Sequence, residues 1–228
     1  MAIATIKAGA EIESMLEAGH AVGCARDQMA NFVRSGYISI EGMLQFHSWA
    51  RQADLPGGPE EIALGGKRGP GKSHAIMAQV GLDDMRRVGN LKGLFLRKIQ
   101  KSAAESMEDL VRRVFMFTEH ALTQDGVKLP NGSRLIIGGY KDENEIDKYL
   151  GIEYDFIVIE DATQISAGKQ AKIRGSLRTS KSNWRPRMYL SANPDGVGLL
   201  WFKKTFVEPS RAGRETTTRF LDVTFIHN

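Results

Sequence analysis

Apolar positions between residues 10 and 34 recur at mixed helical spacing: Ile12, Met15 and Leu16, then Ala21, Val22, Met29, Phe32 and Val33. The pattern breaks near Gly19 and ends at the run RSGY, which predicts two short helices. A further helix is expected from about Ser39 to Ala53, stopped by the breaker cluster LPGGP at 55 to 59. The rhythm then changes. EEIALGG reads as a short buried strand, and KSHAIMAQVGLDDMRRVG reads as a helix with one apolar face.

From there strand-like and helix-like runs alternate. LKGLFLRK (91 to 98) precedes a helix around 102 to 122, then come SRLIIGGY (133 to 140) and YDFIVIED (154 to 161). A helix around 166 to 179 leads to RPRMYLSANP (185 to 194) and finally RFLDVTFI (219 to 226). Continuous apolar strands separated by helices predict an α/β fold of three layers, a mostly parallel central sheet covered by helices on both faces.

Composition narrows the setting without changing the fold. The 228 residues are 42% hydrophobic, ordinary for a chain with a substantial core. A lone cysteine, Cys24, excludes an internal disulfide, fits a reducing compartment and reads most simply as a small buried side chain. No run approaches the length of a membrane span, and the first residues are too polar for a signal peptide, so a soluble intracellular protein with no membrane partner is expected. The net charge of +4 permits a polyanionic partner without demanding one.

The chemistry begins after the first strand. Gly66, Gly71, Lys72 and Ser73 match G-x-x-x-x-G-K-[ST], placed between a predicted strand and a predicted helix as a P-loop requires. Glycines there let backbone N–H groups curl around phosphate oxygens. The expected nucleotide-binding set is Gly66, Lys67, Arg68, Gly69, Pro70, Gly71, Lys72, Ser73 and His74. Lys72 would reach the outer phosphates of ATP, and the Ser73 hydroxyl would bind Mg²⁺.

A magnesium nucleotide site needs a carboxylate at a neighbouring strand end, and hydrolysis needs a second to polarise water. FIVIED supplies both: four apolar residues, then Glu160, assigned to the metal, and Asp161, assigned to the attacking water. The order Glu-Asp inverts the commoner Asp-Glu, so the two roles can be shared or exchanged. At least one further strand lies between the cradle strand and this one, which suggests the ATPases that carry a catalytic carboxylate beside the metal-binding one. The strand ending in SANP places Asn193 where a terminal phosphate or its water would be sensed, since an amide can both donate and accept. As a bare dipeptide, Asn-Pro is a turn initiator. WFKK, a few residues on, fits either a packed helix start or a nucleic-acid contact.

Taken in order, GGKRGPGKS, LFLRKIQKSAAESM, YDFIVIEDATQIS and SANPDGVGLLWFKKTF resemble the ATPase domain of the large terminase subunit, the DNA-packaging motor of tailed bacteriophages. The resemblance spans roughly residues 40 to 228. With the two helices predicted before it, the chain divides into a helical N-terminal segment at 1–38 and a P-loop ATPase domain at 39–228; the resemblance implies ATP hydrolysis coupled to translocation of double-stranded DNA into a procapsid. It also implies a homo-oligomeric ring at a portal protein, a small terminase subunit as partner, and the host cytoplasm as the place of action. Gln45 stands where an adenine-reading glutamine is plausible, with Gln52 as rival, and Arg97 matches a basic position of the family.

Two departures accompany the resemblance. Where the family often has an arginine before the acidic strand that reaches a neighbour's site, this chain has Lys148, a poorer substitute for a planar guanidinium. Arg174 and Arg178 are the alternatives for a trans-acting or DNA-contacting role. No acid cluster of a nuclease domain follows, so DNA cleavage is not expected of this chain. The stretch from 169 to 187 carries seven basic residues and no acid, with Arg174, Arg178, Lys181 and Arg185 forming one stripe if it is helical throughout. Such a stripe could face DNA phosphates or simply solvent. A helicase-like or recombination ATPase and a P-loop kinase are the competing readings; the first lacks room for its later motifs, and the second gives SANP no role.

Overall fold

In the computed structural model, which describes residues 2–67, 69, 71–98 and 103–223, the chain opens with α1 (Ala2–Ala21) and α2 (Arg26–Arg34). The break expected near Gly19 falls instead at Gly23, whose φ of 80° suits glycine. Gly19 matters for packing instead, because a Cβ there would stand 2.7 Å from Met29 Cε, and the lack of a side chain lets α2 lie against α1. The helix expected from about Ser39 starts late, as a 3-10 turn at Glu41–Met43 followed by α3 (Leu44–Gln52).

Strand β1 (Glu61–Gly65) is buried at all five positions and leads through the glycine-rich loop into α4 (Lys72–Ala78). A π-helical turn, Gln79–Asp84, continues it to α5 (Met85–Arg87). Next come β2 (Lys92–Lys98) and α6 (Ala103–Phe115). The helix expected to reach 122 stops there, and β3 (Ala121–Thr123) and β4 (Gly126–Lys128) form an antiparallel hairpin in its place. The two-residue turn is Gln124-Asp125, with Gly126 opening β4, a turn signal that helical spacing upstream obscured.

Strand β5 (Arg134–Tyr140) follows, then a 3-10 segment at Glu143–Tyr149, β6 (Phe156–Ile159) and a 3-10 turn at Ala162–Gln164. Helix α7 (Ala167–Arg174) ends at Gly175, so the helix expected to 179 is shorter and the basic residues beyond it form no helical stripe. The chain closes with β7 (Arg187–Ala192), α8 (Leu199–Phe202), a π-helical turn at Lys203–Val207, α9 (Glu208–Arg211) and β8 (Thr218–Asp222).

The eight strands lie in the order β3-β4-β5-β2-β6-β7-β1-β8. From β5 to β8 all pairings are parallel, and at the other edge β4 runs against them, pairing antiparallel with both β5 and β3. Alternate strand residues serve opposite faces, as the two-residue period demands. Phe95, Val158 and Tyr189 join a core with Met15, Phe32, Phe46 and the α4 residues Ile76 and Met77. Their neighbours Leu96, Ile159 and Leu190 join a second core with Ile173, Phe202 and Phe206. Each such side chain, fully buried, contributes about 1.5–3 kcal/mol relative to exposure. The three-layer α/β expectation holds, and the N-terminal helices share the first core with the sheet.

Candidate active site

Because the strands are parallel, their carboxyl ends meet along one edge, where open α/β sheets bind ligands. β7 lies between the cradle strand β1 and the acidic strand β6, so the ends of the three present Gly66, Asn193 and Glu160 side by side.

In the loop Gly66, Gly69 and Gly71 have φ values of 129°, 100° and 79°, conformations that curl the chain and that side-chain-bearing residues rarely adopt. Gly71 is the N-cap of α4 in the left-handed region, and the Ile40 side chain packs 3.7 Å from where its Cβ would be. Arg68 and Pro70 lie outside the described residues. Lys67 and Gly69 are exposed, whereas Lys72 is buried and its Nζ donates to Lys67 O at 2.6 Å, Gly66 O at 3.1 Å and Asn193 Oδ1 at 3.2 Å. Asn193 in turn donates from Nδ2 to Asp161 Oδ1 at 2.5 Å. A cradle lysine, a strand-tip amide and a carboxylate thus stand in one line.

Glu160 lies on the other side of that line. Ser73 Oγ donates to its Oε1, and Arg97 Nε approaches its Oε2 at 3.1 Å. That second oxygen is buried and lacks a hydrogen bond of good geometry, so the Arg97 contact is ionic rather than directional. Burial raises the Glu160 carboxyl above its ordinary range; Ser73, Arg97 and Lys72 pull it back, and the nearby Asp161 charge pushes it up. Asp161 holds φ 51° and ψ 51°, a left-handed conformation uncommon outside glycine. Its backbone N–H donates to Ser191 Oγ at 3.2 Å, and Thr163 Oγ1 donates to Asn193 O at 3.0 Å.

Ser191 and Thr163 therefore brace the line, and neither was singled out from the sequence. Ser191 carried a signal, a polar residue closing the apolar run 188–190, whereas Thr163, among the polar residues of EDATQIS, carried none; both are buried, at 1% and 0% exposure. Ser73 Oγ and the Glu160 carboxylate form an all-oxygen donor set that suits a hard cation such as Mg²⁺. Among the described residues there is no group of three or more His, Cys, Asp or Glu fit to hold a metal, so an ion here would take its remaining ligands from phosphate and water.

The outlying candidates fall in several places. His74 is exposed, its ring edge-on to Tyr37 at 5.3 Å. Gln45 is half-buried on α3, and its rival Gln52 donates to Ser48 Oγ at 3.3 Å. Lys148 is exposed beside the Tyr149 ring, 5.0 Å from its centroid. Arg174 is not at the strand tips: it pairs with Glu61 and, at 2.9 Å, with Glu60, at the amino end of β1. Arg178 lies 3.9 Å from Glu153, Lys181 Nζ donates to Asp155 at 2.8 Å, and Arg185 donates to the Ala53 and Leu55 carbonyls. The basic stretch is thus distributed among internal partners. Trp201 is likewise packed: its Nε1 donates to Ile165 O at 2.7 Å and its ring stacks edge-on with Phe202. Cys24 is buried, its Sγ 3.3 Å from Leu44 O, and burial pushes the thiol up to about 11. No described helix is long and apolar enough to cross a membrane.

The chain is similar to known proteins in sequence family and in fold. Residues 60–228 match the family model described as phage terminase large subunit. No curated protein matches the chain by sequence. Among solved structures, the large terminase ATPase domain of Thermus phage P74-26, in a mutant form, superposes with a TM-score of 0.59 at 16% identity, covering 84% of this chain and 83% of that one. The HK97 bacteriophage large terminase gives 0.53 at 13% identity, covering 86% of this chain and 38% of that one. The large terminase of a thermophilic bacteriophage, solved in complex with ATP-γ-S, gives 0.54 at 10% identity over 72% of this chain and 39% of that one. The chain therefore spans about two-fifths of the length of full large terminases, and identities this low speak to the fold alone.

Proposed function

Since the chain belongs to the phage terminase large subunit family, we propose that it is a Mg²⁺-dependent ATPase motor domain that drives double-stranded DNA into a procapsid. The observation that carries this reading is the line Lys72–Asn193–Asp161, which joins the phosphate cradle to the acidic strand through the tip of β7. The ATP-γ-S complex of a related terminase supports ATP as the ligand.

The residues divide the work by position. Lys72 turns from the loop carbonyls to the outer phosphates, with the loop N–H groups, and His74 and Gln45 on the flanking elements, completing the nucleotide contacts. Ser73 and Glu160 hold the Mg²⁺, which when bound neutralises phosphate charge. Asp161 orients the attacking water and accepts its proton as the new oxygen–phosphorus bond forms and the bridging bond to ADP breaks. Asn193 shares its carbonyl with Lys72 and its amide with Asp161, so a change at the phosphates reaches β7 directly. Arg97 offsets part of the rise that burial imposes on the Glu160 carboxyl.

In this reading residues 1–38 are a helical appendage to the ATPase domain at 39–228. Copies assemble as a ring on a portal protein, with a small terminase subunit, in the host cytoplasm. Exposed Lys148 and Arg178 are better placed than Arg174 to reach a neighbour, because Arg174 is held by two carboxylates. The test is ATP turnover by the purified chain with Lys72→Ala and Asp161→Ala, with and without linear duplex DNA. Loss of turnover in both and stimulation of the unmodified chain by DNA are expected; wild-type turnover in Asp161→Ala would remove it as the water-activating group.

A further inference from the structure

The hydrogen bonds beneath α4 converge on Gln79, the first residue of the π-helical turn and fully buried. Its Nε2 donates to Asp83 Oδ2 at 2.9 Å and to Asp84 Oδ1 at 3.1 Å. In an α-helix successive residues diverge by about 100° around the axis. The wider π winding lessens that divergence and lets one amide serve the carboxylates four and five positions on. Such turns in helices are rare and frequent at functional sites.

Two N-terminal helices hold the other side of Gln79. Its Oε1 receives His47 Nδ1 at 2.8 Å and Gln28 Nε2 at 3.0 Å. Because that oxygen can only accept, His47 carries its proton on Nδ1, and its Nε2, 3.1 Å from the Tyr37 hydroxyl, accepts from it. Burial keeps the ring neutral, with its pKa pushed down to about 4. At the far end of the turn Asp84 Oδ2 accepts from Tyr189 Oη at 2.7 Å, which fixes it to β7.

The turn therefore sets the phase of the helix that begins at the cradle. Lys72 stands seven residues before Gln79, about 10 Å along the axis, and Ala75 to Ala78 between them are all buried. Relaxation of the turn to α winding would rotate Lys72 and Ser73 relative to the end that Asp84 fastens to β7. Gln79, Asp83 and Asp84 lie within the family-matched stretch, which begins at residue 60, whereas Gln28, Tyr37 and His47 lie before it.

We propose that Gln79 is a positioning residue for nucleotide binding, set by His47, Tyr37 and Gln28, so that the N-terminal helices hold Lys72 and Ser73 in register with Asn193 and Glu160. This rests on the ATPase reading and makes the N-terminal helices a control on nucleotide affinity. Equilibrium titration of the chain with a fluorescent ATP analogue and Mg²⁺ tests it, together with amide hydrogen exchange. His47→Leu should weaken binding about tenfold, the scale of one hydrogen bond, and quicken exchange over residues 79–84. His47→Asn, whose amide can donate where Nδ1 does, should restore affinity to within about twofold. Tyr37→Phe, which removes only the hydroxyl, should weaken binding about threefold and decides the matter if His47→Leu does not fold. Wild-type affinity in folded His47→Leu or in Tyr37→Phe, or equal losses in His47→Leu and His47→Asn, would overturn the proposal. Wild-type affinity in Lys72→Ala, measured alongside, would instead overturn the nucleotide reading beneath it.

Discussion

Charges gather at both ends of the parallel sheet, and the two gatherings behave differently. At the amino end Asp155 accepts from Lys92 N, Thr179 Oγ1 and Lys181 Nζ, while Arg187, fully buried, reaches Ala50 O and Asp54. Arg174 clasps Glu60 and Glu61. Each of these bonds ties a loop or helix to a strand start. At the carboxyl end Lys72 rests on loop carbonyls and Asn193, and Glu160 rests on Ser73 and Arg97. Phosphate oxygens and a metal ion can replace those partners, whereas the partners at the other end hold one element of the fold to another. Charge that fastens and charge that waits for a ligand look alike in a sequence; the end of the sheet tells them apart.

The comparison can be broken most decisively at the carboxyl end. Asp161→Asn should lower ATP turnover by about 10²–10⁴-fold, the range of a lost general base, with nucleotide affinity within a few-fold, read by steady-state turnover and equilibrium binding. A variant with lost affinity and normal turnover per bound nucleotide would move Asp161 from chemistry to binding. At the amino end Asp155→Ala should cost about 1–3 kcal/mol of stability by leaving three part-buried donors without their acceptor, read by denaturant unfolding, with nucleotide affinity of the folded variant unchanged.

A smaller effect concerns pH. The raised pKa of Glu160 means that the folded chain binds its proton more tightly than the unfolded chain does. Its contribution to stability is therefore present at low pH and lost as pH rises through the folded value. Melting temperatures of the unmodified chain should fall relative to Glu160→Gln over that rise, and Mg²⁺-dependent nucleotide binding should strengthen over the same range as the carboxyl group ionises. Parallel melting curves would mean that Glu160 is not the perturbed group. The smallest effect on stability, read by denaturant unfolding, is expected for Arg178→Ala, whose loose exposed pair with Glu153 at 3.9 Å should be worth at most about 0.5 kcal/mol.

Much of this was legible beforehand because it depends on local order. Six parallel strands announced themselves as apolar runs, and the glycine loop, the acidic pair and Asn193 stood at strand ends whose side-by-side placement follows from parallel topology. The basic stretch misled because helical spacing was extended past Gly175, where α7 stops, and because its acceptors, Glu60, Glu61, Asp155 and the Ala53 and Leu55 carbonyls, are remote in sequence. The buried polar residues Gln28, His47 and Gln79 gave no signal for the same reason: their partners are brought together only by packing. The hairpin at 121–128 was missed through shortness, with three residues in each strand.

The strand order also dictates when this site can exist. Glu61 of β1 pairs with Met188 of β7 on one side and Thr218 of β8 on the other, so the strand that carries the cradle waits for partners more than a hundred residues downstream. Pairings of such long range close late, after the entropy of the intervening chain has been overcome. A nascent chain leaving the ribosome can pair β2 with β5 and β6 while β1 still lacks both neighbours. The nucleotide loop, early in the sequence, is among the last parts of the protein to take its form.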